Sequence, residues 1–309
     1  MKAVIAAMPL AFVLLVSGCT VPGLDFLGMG GQQISYENDV IVISALSVLP
    51  AEVKPGQNVM VYADVQNVLK PGAVPAGAKY VTAAVDLYDY CPNMFTLKSG
   101  PNGENSPASS IDIIILNPQE VKSLKWKLTA SPDIKMQNKC EFKLRVNYKF
   151  KTDAISTVTF ISQAEYDRKL RAGEPMARQG TNTVGIGPVK PDMKIDGPQP
   201  VEAGDKAPLI FKAVNRGSGF VTSKDKNDRA AVTVDLFTLA DALGADNECE
   251  IRNGEKIEIF VEKQSSPRAC PVGLNQTTIT EQTYPIKMQI SYDYEFRKTA
   301  WATITPPKV

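Results

Sequence analysis

Strict alternation of apolar and polar residues is the dominant pattern in this chain. In FKLRVNYKF, residues 142–150, Phe142, Leu144, Val146, Tyr148 and Phe150 take turns with Lys143, Arg145, Asn147 and Lys149. That is the two-residue period of an antiparallel strand with one face on a core and one in water. IKMQISYDY, residues 286–294, repeats it with Ile286, Met288, Ile290, Tyr292 and Tyr294 inward. VIVISALSV, NVMVYADVQ, YVTAAVDLY, IDIIIL and VKSLKWKL read as shorter strands, and ISTVTFI and TAWATIT as a last strand following the long one in each half. Short strands punctuated by turn residues predict a two-sheet sandwich.

The halves also resemble each other. VKPGQNVMVYADVQN (53–67) lies against VEAGDKAPLIFKAVN (201–215), matching Val53 with Val201, Gly56 with Gly204 and Asn67 with Asn215. AAVDLY (83–88) matches VTVDLF (232–237), and FKLRVNYKF matches IKMQISYDY. An internal repeat of this length predicts an all-β chain of two tandem antiparallel β-sandwiches, over residues 36–161 and 192–309. Residues 162–191 break the pattern and read as a linker. Within it AEYDRKLRA, with Tyr166 and Leu170 one helical turn apart, predicts a short helix. TLADALGADN in the second half also reads as helix-rich.

Four cysteines allow three pairings. The repeat selects Cys91 with Cys140 and Cys249 with Cys270, one disulfide inside each domain and at matching places in the two halves. No two of them stand at ligand-like CxxC spacing, so neither a metal nor a cofactor is expected.

The fifth cysteine, Cys19, stands apart. Lys2 and the apolar run AVIAAMPLAFVLLV (3–16) read as a secretory signal over residues 1–18. An uncut membrane anchor is the alternative reading. Val16-Ser17-Gly18-Cys19 resembles the lipobox of lipoproteins, which implies that Cys19 accepts the lipid and that residues 19–35 form a glycine-rich tether. Two long acyl chains hold a soluble domain stably at a bilayer. The expected location is the extracytoplasmic face of the cell membrane. A free thiol in a discarded leader is the competing reading.

LSV-x-P, then V-x-x-G, an alternating strand and a terminal Asn resemble the immunoglobulin-like modules of the CARDB and related surface-protein type, found in archaeal and bacterial cell-surface proteins. The resemblance covers both halves. It implies a structural or adhesion-like module and brings no catalytic residues.

Charge and composition remove other classes. Lys and Arg number 34 against 33 Asp and Glu, with no electrostatic footprint for nucleic acid. Histidine is absent, taking with it the commonest general base and metal ligand, and no P-loop or GxSxG motif is present. No enzymatic activity is expected. The expected partners are the membrane, through the lipid, and a protein or surface polymer. A receptor for carbohydrate or peptide at the interdomain cleft, or an accessory subunit of a membrane-bound complex, are the alternatives.

Smaller features get plain readings. Asn275-Gln276-Thr277 fits the N-glycosylation pattern. SKDKNDRA (223–230), with Asp225 and Asp228, reads as a solvated hairpin loop, too basic for a calcium site. Arg168–Arg171 reads as a solvated basic turn. Trp126 and Trp301 read as core residues, with carbohydrate stacking as their alternative.

Overall fold

The strands of the first half are β1 (Ile41–Leu49), β2 (Glu52–Val53), β3 (Asn58–Asn67), β4 (Val81–Asp89), β5 (Phe95–Ser99), β6 (Ile111–Leu116), β7 (Val121–Ala130) and β8 (Asn138–Ile161). Helix α1 (Gln163–Ala172) follows. The second half holds β9 (Asn182–Val184), β10 (Val189–Ile195), β11 (Val201–Glu202), β12 (Lys206–Asn215), β13 (Phe220–Thr222), β14 (Ala231–Leu239), β15 (Leu243–Ala245), β16 (Lys256–Glu258), β17 (Arg268–Leu274) and β18 (Glu281–Ile304). The computed structural model describes residues 37–72, 79–101, 107–176, 180–223, 229–245, 247–260, 263–275 and 279–307.

Two four-stranded sheets, ordered β1-β3-β7-β5 and β10-β12-β17-β15, pack on one ten-stranded sheet whose main path runs β16-β14-β18-β8-β4-β6, with β9 and β11 paired to β8 and β2 and β13 to β18 beside it. The result is a pair of immunoglobulin-like antiparallel sandwiches that share a continuous wall. β8 and β18 form its middle, paired without a break from Ile161↔Glu281 to Asn138↔Ile304. Even-numbered residues face inward along both, so the buried face never changes side.

That pairing makes the two repeats exchange strands. β4 pairs with residues 143–148 of β8, and β14 with residues 286–291 of β18. Antiparallel pairing then sets the C-terminal half of β18 beside the N-terminal half of β8, where β1 packs across it. The C-terminal half of β8 crosses in the same way into the second sandwich, against β10. Lys149 pairs with Asp293, its own counterpart in the repeat, which marks the approximate two-fold axis. The segments 36–161 and 192–309 thus each supply most of one sandwich and the last strand of the other.

Sequence patterning predicts separate strands at 142–150 and 155–161, and again at 286–294 and 299–305. The structure joins each pair, because the intervening KTDA and EFRK contain no Gly, Pro or Asn to turn the chain, and Thr152, Ala154 and Phe296 keep the alternation buried. The expected helical character of TLADALGADN is also overturned. β14 runs through Leu239, the Leu243 N–H closes a turn onto the Ala240 carbonyl, and Leu243–Ala245 joins β17. The ladder hydrogen bonds offered by β17 outweigh a weak helical propensity.

The linker contains its short helix. The Ser162 hydroxyl caps α1 by accepting from the Glu165 N–H at 3.3 Å, and Gly173 closes it in the left-handed conformation at φ +66°. β9 and the first residues of β10 also lie within 162–191, and β9 pairs with β8.

The repeated Gly and Asn have separate jobs. Gly56 and Gly204 turn the chain into β3 and β12 with φ of +79° and +113°, a region closed to most side chains. Asn67 and Asn215 are buried at the far ends of those strands, each donating to a carbonyl (Leu116, Gly219) and accepting from a backbone N–H two residues on (Leu69, Gly217). An amide that donates and accepts lets a buried turn keep its hydrogen bonds.

Disulfides join Cys91 to Cys140 and Cys249 to Cys270, one in each sandwich, as the repeat predicts. Their places do not match, contrary to expectation. Cys140 sits on β8 in the shared sheet, whereas Cys270 sits on β17 in a small sheet, opposite Leu209. The residue at that position of the first sandwich is Trp126, opposite Val61 and fully buried.

Candidate functional site

The seam between the sandwiches is filled. Tyr148, Phe150, Tyr292 and Tyr294 project inward around the two-fold axis, with Tyr148 and Tyr294 rings 5.6 Å apart and Phe150 and Tyr292 rings 6.5 Å apart. The Tyr294 hydroxyl donates to Asn215 Oδ1 at 3.1 Å and accepts from the Gly219 N–H at 2.9 Å. Tyr292 shares a hydrogen bond with Thr152 at 2.8 Å. Burial pushes both phenols well above their ordinary range, so neither serves as a base or nucleophile near neutrality. Asp39, just before β1, accepts from the Ser218 N–H and hydroxyl at 3.0 and 2.8 Å and ties the entry into β1 to the second repeat. Burial raises its carboxyl above the usual range against the opposing pull of those hydrogen bonds and Lys263. Lys298 on β18 donates to the carbonyls of Ile43 and Ser44, at the irregularity in β1.

Shallow clefts among the described residues lie elsewhere. One of about 330 Å³ is formed by Tyr166 and Gln163 of α1 with Asp196, Glu202 and prolines around β11. Another, about 380 Å³, is formed by Phe237, Leu239, Ile251, Arg252 and the Cys249 end of a disulfide. Neither gathers a nucleophile with a base. Among the described residues no group of three or more Cys, Asp or Glu side chains is placed to hold a metal ion.

The outer face of the shared sheet is the most organised polar surface. Arg145 on β8 and Arg297 on β18 stand directly opposite each other, a pairing of like charges that is ordinarily unfavourable. Two buried carboxylates and a ring offset it. Arg145 donates through Nε and Nη2 to Asp86 Oδ2 at 3.0 and 2.8 Å, and Arg297 donates through Nε to Glu295. Both guanidiniums lie over the Tyr88 ring, 5.0 and 5.9 Å from its centre, and Arg297 also lies 5.5 Å from the centre of Phe220. Each such contact is worth about 0.5–1 kcal/mol at an exposed site. Lys143 bonds Asp89 at 2.9 Å, which lowers that carboxyl's pKa. Farther along β18, Lys139 covers one face of Trp301 at 4.3 Å.

Beside this cluster, β6 exposes Ile111, Ile113 and Ile115, the middle one at 70%. It is an edge strand, and side chains occupy backbone groups of Ile111 and Ile113 on it. Ser109 Oγ bonds both the N–H and the carbonyl of Ile111, and Asp112 Oδ1 accepts from the Ile113 N–H at 2.9 Å. Side chains thereby blunt the edge against strand addition.

The predicted residues are scattered rather than gathered. Cys19 lies outside the described residues, as do Asp225, Asp228, Gln276 and Thr277. Asn275 is exposed, with its Nδ2 donating to the Asp241 carbonyl at 3.2 Å. The basic turn is paired, Arg168 with Glu165 and Glu174, and Lys169 with Glu281. Trp126 is core as expected. Trp301 is not: it is 47% exposed on the outward register of β18. Sequence reading missed the Arg145–Tyr88–Arg297–Phe220 cluster, since its members come from four strands. The only local hint was Val-Asp-Leu-aromatic, shared by both repeats.

These features define an all-β protein of tandem immunoglobulin-like sandwiches, braced by two disulfides and carrying an ordered outer sheet face. No protein-family model matches the chain. No curated protein matches it either. Among solved structures, the chain is similar to the MSCRAMM ACE of Enterococcus faecalis, described as binding its ligands by the collagen Hug model: 7% identity, TM-score 0.19, covering 86% of this chain and 96% of that one. It is also similar to the collagen adhesin (CNA) from S. aureus, at 9% identity and TM-score 0.13, covering 87% and 94%.

Proposed function

We propose that this chain is an exported, lipid-anchored cell-surface lipoprotein with modules of the CARDB type, acting as a structural or adhesion-like element and not as an enzyme. The observation that carries the reading is the disposition of cysteines. Four are consumed in two disulfides, which persist in oxidising compartments outside the cytoplasm, and the one left over stands in a lipobox-like sequence. The mechanism is presentation. A lipid on Cys19 holds the chain at the membrane, residues 19–35 give it reach, and the exchanged strands and disulfides keep the outer sheet face rigid for a protein or surface-polymer partner. A receptor site at the seam is disfavoured, because the tyrosines that would line it are spent on packing.

Replacement of Cys19 by Ser tests the reading. The variant is expected to leave the membrane fraction, and the wild type to be cut by protease added to intact cells. Retention of the variant with unchanged processing would sink the anchor.

A further inference from the structure

We propose that the outer face of the shared sheet carries a binding track for an extended, uncharged polysaccharide, running along the C-terminal half of β18 from Phe220 through Arg297 and Thr299 to Trp301. The inference rests on the surface-module reading and names the polymer such a module would hold.

The register places the track. Arg297, Thr299 and Trp301 alternate outward on β18, and Phe220 on β13 lies opposite Glu295. All four side chains are exposed. From Glu295 to Trp301 the strand advances about 20 Å at 3.3 Å per residue. That distance exceeds a single sugar ring, and the face is open, so the geometry suits a polymer lying flat.

The two end rings are set for stacking. Phe220 is 51% and Trp301 47% exposed, and each has a cation over one face, Arg297 and Lys139 respectively. Their partial exposure leaves part of each ring to water. A pyranose presents an apolar C–H face with hydroxyls around its rim, which matches an open aromatic face flanked by polar groups.

Hydrogen bonding and charge select the ligand class. Arg297 spends its Nε on Glu295, and its two Nη groups have no acceptor among the described residues. Unspent donors on an exposed side chain suit hydroxyl oxygens, which accept from them. Arg145 and Arg297 are balanced by Asp86 and Glu295, and Lys143 by Asp89, so the cluster offers no net attraction to a polyanion or a polycation.

The test is affinity electrophoresis of the full chain in neutral detergent, through gels containing dextran, galactomannan or hydroxyethyl cellulose, with polygalacturonate and chitosan gels as charged counterparts. Retardation is expected in at least one neutral gel and should persist at raised salt. Trp301→Ala and Phe220→Ala should each weaken it about fivefold to tenfold, as the loss of one stacking contact would. Trp301→Phe, which keeps a ring, should retain most of it. Migration unaltered by every neutral polymer, retardation only in charged gels, or retardation that both alanine variants leave intact would each overturn the track. Thermal unfolding of the variants separates a lost contact from a lost fold. The anchor is judged independently: membrane retention without retardation removes only the track, and retardation without retention removes only the anchor.

Discussion

The two sandwiches are built from one repeat, yet they place aromatic bulk and disulfide in opposite layers. In the first, Trp126 fills the small sheet and Cys140 is bonded in the shared sheet. In the second, Cys270 stands where Trp126 would be, and Tyr284 stands where Cys140 would be, packed on Phe160 with ring centres 6.3 Å apart. A core position needs volume and a largely apolar surface, and an indole, a phenol or half a disulfide can each supply them. What the repeat conserves is the alternation and the Gly and Asn turns, because those set the backbone path.

A second contrast concerns the matched leucines. Leu87 is fully buried, whereas its counterpart Leu236 is 45% exposed. β14 inserts Asp235 as an extra residue opposite β18, between the pairs Val234↔Ile290 and Leu236↔Gln289. One inserted residue reverses the face on which every later side chain falls. Asp235, freed of a ladder partner, accepts from Ser291 and pairs with Lys151 at 2.7 and 2.6 Å.

The largest test of the comparison is to remove the exchanged strand. A chain ending at residue 292 retains everything the repeat assigns to the first half, and Trp126 is then its sole indole. Its first sandwich should nonetheless unfold, giving Trp126 emission at a solvent-exposed wavelength, because buried Tyr294, Phe296, Ala302 and Ile304 would be gone. Native-like emission would mean that the exchange is dispensable.

Next in size, Leu87→Ala should cost about 2–5 kcal/mol in urea unfolding, as buried leucines do. Leu236→Ala should stay within about 0.5 kcal/mol. Equal losses would place Leu236 in the core and remove the bulge.

The disulfides differ less. Opening the loop between Cys91 and Cys140, 49 residues apart, should cost about 4 kcal/mol by double Ser replacement, and that between Cys249 and Cys270, 21 apart, about 3. Denaturant midpoints of the two double variants measure the difference, and a larger loss at the shorter loop would show that loop length does not set it.

The smallest effect is a slope with pH. The Asp39 carboxyl is raised in the folded chain, chiefly by burial. Its contribution is therefore fully present below the unfolded value of about 3.9 and lost as pH rises through the folded value. Asp39→Asn should remove that loss while keeping an acceptor for Ser218. Identical pH profiles of stability would show that Asp39 titrates as it does when unfolded.

Much of this architecture was legible in the sequence. Alternation in FKLRVNYKF and IKMQISYDY identified the central strands and their buried faces, and the repeat picked both disulfide pairs. The ordered outer sheet face was much less legible. Trp301 alternates on a strand like any core residue, and nothing local tells which phase meets the small sheet. Arg145, Tyr88, Arg297 and Phe220 become neighbours only through four strands and the register of β8 on β18.

By itself the sequence determined which residues alternate, where the backbone turns and which cysteines remain for bonding, since these follow from local periodicity and from the special backbone freedom of Gly and Asn. Only the tertiary structure decided that each long strand runs on into the other sandwich. A period of two is the same whether a strand completes its own sheet or its neighbour's. The choice is made by long-range packing, here β1 against β18 and β10 against β8 across an axis through Lys149 and Asp293.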